Sequence, residues 1–69
     1  MAVSIHTFGG FYDEPDEAAR RAQEKANEFL KRNSIQREQI VAMHTSVQSV
    51  YIKHEDAMRI DVVITLIVD

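Results

Sequence analysis

The alternation of apolar and polar residues at the end of the chain predicts a β-strand over residues 59–69. Every second residue from Ile60 to Val68 is apolar, which is typical of a strand that packs one face on a core. The other parity is only half apolar, and it consists of Arg59, Asp61, Val63, Thr65, Ile67 and Asp69. One helix covers only one face of a sheet. The partly apolar second face of this strand therefore needs another partner to bury it.

Two more strands and one helix are predicted before it. Residues 2–8 alternate as a short strand, and we interpret Gly9 and Gly10 after it as a turn that needs a positive φ. Residues 14–32 have helical spacing, with Asp13 as the expected N-cap and Asn33 at the end. The apolar stripe of this helix is Ala18, Ala19, Ala22, Ala26, Phe29 and Leu30. Residues 40–53 predict a long strand whose parity changes near residues 48–49, which indicates a bulge, and residues 54–58 form a hairpin connection.

This order predicts an α+β fold with a single β-α-β-β layer, and residues 1–69 form one domain. A strand–helix–strand crossover makes its two strands parallel, and the most apolar strand, the last, belongs in the middle. We therefore expect a three-stranded mixed sheet of order 1-3-2 with one helix packed on one face. The predicted helix-covered face holds Val3, Ile5, Val41, Met43, Ile60, Val62, Ile64 and Leu66. The predicted opposite face holds Ser4, His6, Phe8, Ile40, Ala42, His44, Ser46, Gln48, Asp61, Val63, Thr65 and Ile67.

The composition indicates that burial of this second face matters for the stability of the protein. The chain is 45% hydrophobic, contains no cysteine and has only 69 residues, so neither disulfides nor thiolate metal sites supplement a small core. Self-association is the remaining common way to bury more apolar surface. We expect a homo-oligomer that forms through the open sheet face or the edge strands, with Ile40, Ala42, Val63 and Ile67 in the interface.

Charge and hydropathy indicate which partners to expect. The net charge is −3, and the basic residues of the predicted helix alternate with acids, so no nucleic-acid partner is predicted. The first residues lack the features of a signal peptide. The longest apolar stretch is shorter than the roughly 20 residues that span a bilayer, so no membrane partner is predicted and a cytoplasmic location is expected.

The histidines are the main candidates for chemistry. His6 and His44 share the predicted open face with Asp61, but two strand spacings, roughly 9–10 Å, separate the histidines. That separation is too large for one metal ion, so no metal site is predicted. The glycine pair lacks a phosphate-binding motif and precedes four acids. No nucleophile constellation is present, and an enzyme that uses His6 or His44 as general acid or base is one alternative.

The element order resembles that of two groups of small proteins. It is similar to the dodecins, in which a β-α-β-β chain assembles into a hollow dodecamer and binds flavin on the open sheet face. Residues 8–11 (FGGF) stand where dodecins have a GTS-like turn, and the chain has no tryptophan to stack on a flavin. Short sporulation-associated proteins also resemble this chain in a charged helix that ends near NEFLK (residues 27–31) and in a long hairpin.

We therefore predict a small, self-assembling, non-enzymatic interaction protein with no cofactor. The alternative is a carrier that holds a flavin-like or other planar small molecule between subunits. Its expected ligand-binding residues are Phe8, His44, Gln48 and Thr65.

Overall fold

The computed structural model describes residues 2–69, which form one α-helix and three strands. The elements are β1 (Ser4–Tyr12), α1 (Pro15–Arg32), β2 (Ile40–Ile52) and β3 (Ala57–Val68), with short 3-10 helices at Arg37–Gln39 and Lys53–Glu55. Within the described residues, no helix has the length and apolar character needed to cross a membrane.

The strand order is β1-β3-β2, so the α+β fold and the central position of the last strand are confirmed. Each neighbouring pair of strands is antiparallel. The sheet is therefore antiparallel rather than mixed, although β1 and β2 do run in the same direction, as a crossover requires. The two parallel strands never pair with each other because β3 lies between them.

The helix α1 follows its predicted bounds closely. Proline occupies the first turn, where its missing N–H costs no hydrogen bond. The N-cap residue is Glu14 rather than the predicted Asp13, and its side chain makes no capping hydrogen bond. Asp13 forms an ion pair with Arg59 instead. At the other end, the Asn33 side-chain amide donates to the carbonyl of Phe29 at 2.9 Å, and the helix ends there as expected.

The core lies between α1 and one face of β3. Its buried members are Ala18, Ala22, Ala26, Val62, Ile64, Leu66 and Val68. The predicted parity of β3 and the alanine stripe of α1 are thus confirmed. The helix packs mainly on β1 and β3, and Ile40 is the residue of β2 that packs against the core on the same side. Met43 and Val47 also lie on that side of β2, but they are 68% and 64% exposed. Val41 and Met43 were predicted to lie under the helix, and both are exposed instead.

The predicted parity of β1 is wrong, because the strand continues through both glycines. His6 pairs with Leu66 and Phe8 with Ile64, which places both on the helix side together with Ser4. Ile5 pairs with Ile67 on the other face and is 67% exposed. Val3 is exposed as well, so neither residue reaches the core.

Gly10 explains this orientation of β1. A Cβ on Gly10 would lie 2.0 Å from the carbonyl oxygen of Ala18, so only glycine allows the helix to approach this closely. Because side chains alternate along a strand, this contact also directs Phe8 and His6 towards the helix. Neither glycine has a positive φ, so the predicted turn is wrong.

The irregularity in β2 lies between Ile40 and Ala42 rather than at residues 48–49. Ile40 pairs with Val68 on the helix side, so it does not belong to the open face as predicted. From Ala42 onward the pairing with β3 is regular as far as Ile52. Val50 and Ile52 therefore lie on the open side of the sheet and Tyr51 on the helix side, with no second bulge.

The β2–β3 hairpin extends past the end of β1. The pairing of β1 stops at Tyr12 opposite Ile60, whereas β2 and β3 stay paired until Ile52 meets Ala57. Asp56 closes the hairpin with a φ of 48°, in the left-handed region that Asp tolerates better than most residues. The molecule measures 46 × 18 × 15 Å, and the long dimension reflects this arm.

Candidate functional site

The sheet face opposite α1, hereafter the open face, consists of residues paired in rows across the three strands. Directly paired residues of antiparallel strands point to the same face, so the register defines these rows. In the order β1, β3, β2 they are Ile5–Ile67–Ala42, Thr7–Thr65–His44, Gly9–Val63–Ser46 and Phe11–Asp61–Gln48. The hairpin arm adds Arg59–Val50 and Ala57–Ile52.

Apolar side chains are accessible on the open face. Ile5 is 67% exposed and Phe11 is 47% exposed, while Val63 and Ile67 are half-buried by their neighbours in the sheet. No element formed by residues 2–69 covers them, since α1 lies on the other side. Gly9 leaves a shallow gap beside Val63, because a Cβ at that position would meet nothing within 4 Å.

Three of the four predicted interface residues share this face. Ala42 and Ile67 are direct partners in one row, and Val63 lies two rows away on the same strand as Ile67. The fourth, Ile40, packs on the helix side against the core. Sequence reasoning missed Ile5 because the parity of β1 was wrong, and it missed Phe11 because the predicted strand ended at residue 8.

The predicted ligand-binding residues do not form one site. His44 and Thr65 are direct partners on the open face, and Gln48 lies two rows further along beside Asp61. Phe8 is on the opposite side of the sheet, where its ring centroid is 5.2 Å from that of Phe29. A planar ligand on the open face therefore cannot stack on Phe8.

The two histidines also lie on opposite sides of the sheet. The ring centroid of His6 is 4.4 Å from that of Phe29, and Nε2 of His6 is 2.8 Å from Oγ of Ser4. This places His6 in an aromatic contact with the end of α1. His44 and Asp61 lie on the open face, so the fold does not bring His6 together with them.

The two edges of the sheet differ in how they are protected. Along β1, Nζ of Lys25 donates a hydrogen bond to the carbonyl of Gly9 at 2.7 Å, and the guanidinium of Arg21 lies 4.3 Å from the ring centroid of Tyr12. Side chains of α1 thus contact the β1 edge at Gly9 and Tyr12. Along β2, residues 41–49 are all exposed, and no strand or helix of the described chain pairs with their outer edge.

The helix side of β2 carries an exposed apolar strip, hereafter the β2 strip. It consists of Met43, Val47 and Tyr51, which are every fourth residue of β2, and of Met58, which is the direct partner of Tyr51 on β3. A groove of about 360 Å³ lies between α1 and the Met43 end of this strip, and Leu30, Met43 and Ile64 line part of it. The sequence pattern missed the strip because it assigned Met43 to the helix-covered face.

Polar contacts fix the end of the hairpin. The guanidinium of Arg59 forms ion pairs with Asp13 and Glu55, which ties the arm to the start of α1. The Tyr51 hydroxyl donates to Oδ1 of Asp56 at 2.6 Å, and this hydrogen bond, aided by desolvation, raises the pKa of Tyr51. On α1, the hydrogen bond from Arg20 lowers the pKa of Glu17. Each of these contacts stabilises local structure, at the hairpin or along α1.

Comparison with known proteins gives no relative, since no family model, no curated protein and no solved structure matches this chain.

Proposed function

We propose that this protein is a non-enzymatic interaction module that self-associates by stacking the open faces of two copies. The observation that carries the proposal is the half-apolar open face, which no element of the described chain covers. Ile5, Phe11, Val63 and Ile67 are its larger apolar side chains on β1 and β3.

The energetics favour burial of this face. Removing apolar surface from water contributes roughly 25 cal/mol per Å², so several hundred Å² are worth several kcal/mol. The core of one copy has few large side chains, because three of its seven buried hydrophobic residues are alanines. A domain of this size gains a large share of its stability when a second copy covers the open face.

The arrangement of the rows suits a face-to-face contact. Two stacked sheets lie about 10 Å apart with interdigitating side chains. The row with Ile5, Ile67 and Ala42 supplies apolar contacts, and the adjacent row with Thr7, Thr65 and His44 supplies hydrogen-bonding groups. Apolar rows give such an interface its stability and polar rows restrict its register.

Charge placed on the open face should weaken this association. We expect Val63→Asp and Ile5→Asp each to weaken self-association at least tenfold, because the carboxylate would lose its hydration in the interface. Sedimentation velocity over a range of micromolar concentrations measures the effect, and circular dichroism verifies that the helix content is kept. Ile5 is 67% exposed, so its replacement leaves the core intact.

Asn27→Asp is the matched control, since it adds one negative charge on an exposed position of α1 away from the open face. This variant should associate as the unmodified protein does. If the unmodified protein is a monomer throughout this range, or if both open-face variants associate as tightly as the control, the open face is not the interface.

A further inference from the structure

The outer edge of β2 has the properties of a pairing edge. Its thirteen residues contain no Asp, Glu, Lys, Arg or proline, which are the residues that commonly block strand addition. Residues 41–49 are all exposed along it. The β1 edge contrasts with it, because Lys25 already bonds there to the carbonyl of Gly9. A strand that added to the β1 edge would have to displace this bond, which favours addition at β2.

The sequence of β2 is self-complementary in one antiparallel register. The regular part of the strand runs from Ala42 to Ile52, and Val47 lies midway between them. When two copies are paired antiparallel about Val47, Met43 lies opposite Tyr51 and Thr45 lies opposite Ser49 on the helix side. On the open face, Ser46 lies opposite Gln48 and Ala42 lies opposite Ile52. His44 lies opposite Val50, which is the one pair of a polar with an apolar residue. In every other pair of this register, apolar residues meet apolar residues and polar residues meet polar residues.

We propose that two copies of this chain pair through their β2 edges about a twofold axis at Val47 and form one six-stranded antiparallel sheet. Both helices then lie on the same side of the joined sheet. They do not obstruct the junction, because α1 packs on β1 and β3. This contact is separate from the open face, so it does not depend on the proposed function.

Strand pairing and burial of the β2 strip both stabilise this contact. Eleven paired residues extend over about 36 Å and exchange about ten backbone hydrogen bonds. On the helix side, Val47 of one copy lies opposite Val47 of the other, and Met43 of each copy lies opposite Tyr51 of the other. These side chains are 54–68% exposed in one copy, so pairing removes apolar surface from water.

Cysteine crosslinking tests the register directly, because the chain contains no cysteine of its own. Val47→Cys places two thiols on directly paired residues, whose Cα atoms are about 4.5–5.5 Å apart. This distance lies within the range of disulfides, so the variant should form a covalent dimer under mild oxidation. Thr45→Cys is the matched control on the same strand and side. Its two thiols would lie four residues apart, about 13 Å, so its dimer should form at least tenfold more slowly.

The direction of pairing is tested with two further variants. Chains carrying Met43→Cys and chains carrying Tyr51→Cys should crosslink when the two are mixed, and neither should crosslink efficiently alone. Equal rates for Val47→Cys and Thr45→Cys, or efficient crosslinking of Met43→Cys alone, would overturn the proposed register. All replaced residues are exposed, and circular dichroism verifies that each variant is folded.

The same experiment in a Val63→Asp background separates the two contacts. If the edge contact is independent, the crosslink at Val47 persists when stacking of the open faces is lost. If Val47→Cys fails to crosslink while the unmodified protein still self-associates, the edge contact is absent and the open-face proposal stands.

Discussion

At the scale of single residues, two adjacent glycines have different roles in the same strand. Gly10 faces the helix, and a Cβ there would lie 2.0 Å from the Ala18 carbonyl oxygen and 2.8 Å from the Ala22 nitrogen. Gly9 faces the open side, where a Cβ would meet nothing within 4 Å. The first glycine sets the distance between helix and sheet, whereas the second has no steric reason to be glycine.

Substitution by alanine should therefore affect the two glycines in opposite ways. We expect Gly10→Ala to lower the free energy of unfolding by about 3 kcal/mol, because the backbone atoms of α1 that it meets have to move. Gly9→Ala should raise it by about 0.5 kcal/mol, because alanine restricts the unfolded chain and fits the strand. Chemical denaturation at one fixed protein concentration compares them, and equal effects would contradict the role of Gly10.

Gly10 also explains why the orientation of β1 could not be predicted from the sequence. The alternation in β3 identifies its buried face because one parity is apolar without exception. In β1 both parities carry apolar residues, with Ile5 on one and Phe8 on the other, so hydrophobicity does not decide between them. The deciding feature is the fit of Gly10 against Ala18, and that contact follows from tertiary packing rather than from local pattern.

At the scale of elements, α1 covers two of the three strands. Its buried stripe is made of alanines, which let the helix lie close to β1 and β3 but do not extend over β2. The sequence predicted the existence of all four elements and the approximate bounds of all but β1, which continues to Tyr12 instead of ending at residue 8. It did not show this lateral offset, so Val41 and Met43 were wrongly assigned to the helix-covered face, and the β2 strip and the free edge became visible only in the fold.

The hairpin that carries this edge is closed by a bond that depends on pH. The bond to Asp56 requires a protonated Tyr51 and raises the pKa of Tyr51 above its ordinary value of 10.0. A raised pKa means that this contribution to stability is fully present below pH 10.0 and is lost as the pH rises through the folded-state pKa.

Ultraviolet titration of tyrosinate in a Tyr12→Phe background, where Tyr51 is the only tyrosine, should give a midpoint above 10.0. Asp56→Asn should bring the midpoint back towards the ordinary value, because a neutral amide accepts this hydrogen bond less strongly than a carboxylate. Asparagine also tolerates the positive φ of Asp56, so the hairpin is kept. An unchanged midpoint in the Asn variant would show that the bond does not form in solution.

At the scale of the whole molecule, the chain is less compact than its size requires. The Cα radius of gyration is 14.0 Å. A compact domain of 69 residues has about 11 Å. The larger radius of gyration comes from the hairpin arm, which extends beyond β1 and α1. Much of the surface of this arm does not contact the core.

A variant that lacks both proposed contacts should keep this shape. We expect Val63→Asp combined with Val47→Lys to be a monomer whose radius of gyration, measured by small-angle X-ray scattering, is near or slightly above 14.0 Å. A value close to 11 Å would mean that the arm folds back on the body when it has no partner. Sedimentation on the same sample establishes that the measured species is the monomer.

The hydrogen bond from Lys25 to the Gly9 carbonyl has a consequence for the valency of each copy. A sheet whose edges are both free can recruit neighbours without limit and grow into a fibre. Because Lys25 takes the Gly9 carbonyl in the middle of the β1 edge, we expect this edge not to recruit a strand. Each copy would then have a valency of one along the sheet, and lateral growth would stop at a pair. Such a pair presents a single continuous open face, and one further pair is enough to cover it. We therefore expect association to end at four chains in a closed, symmetric sandwich.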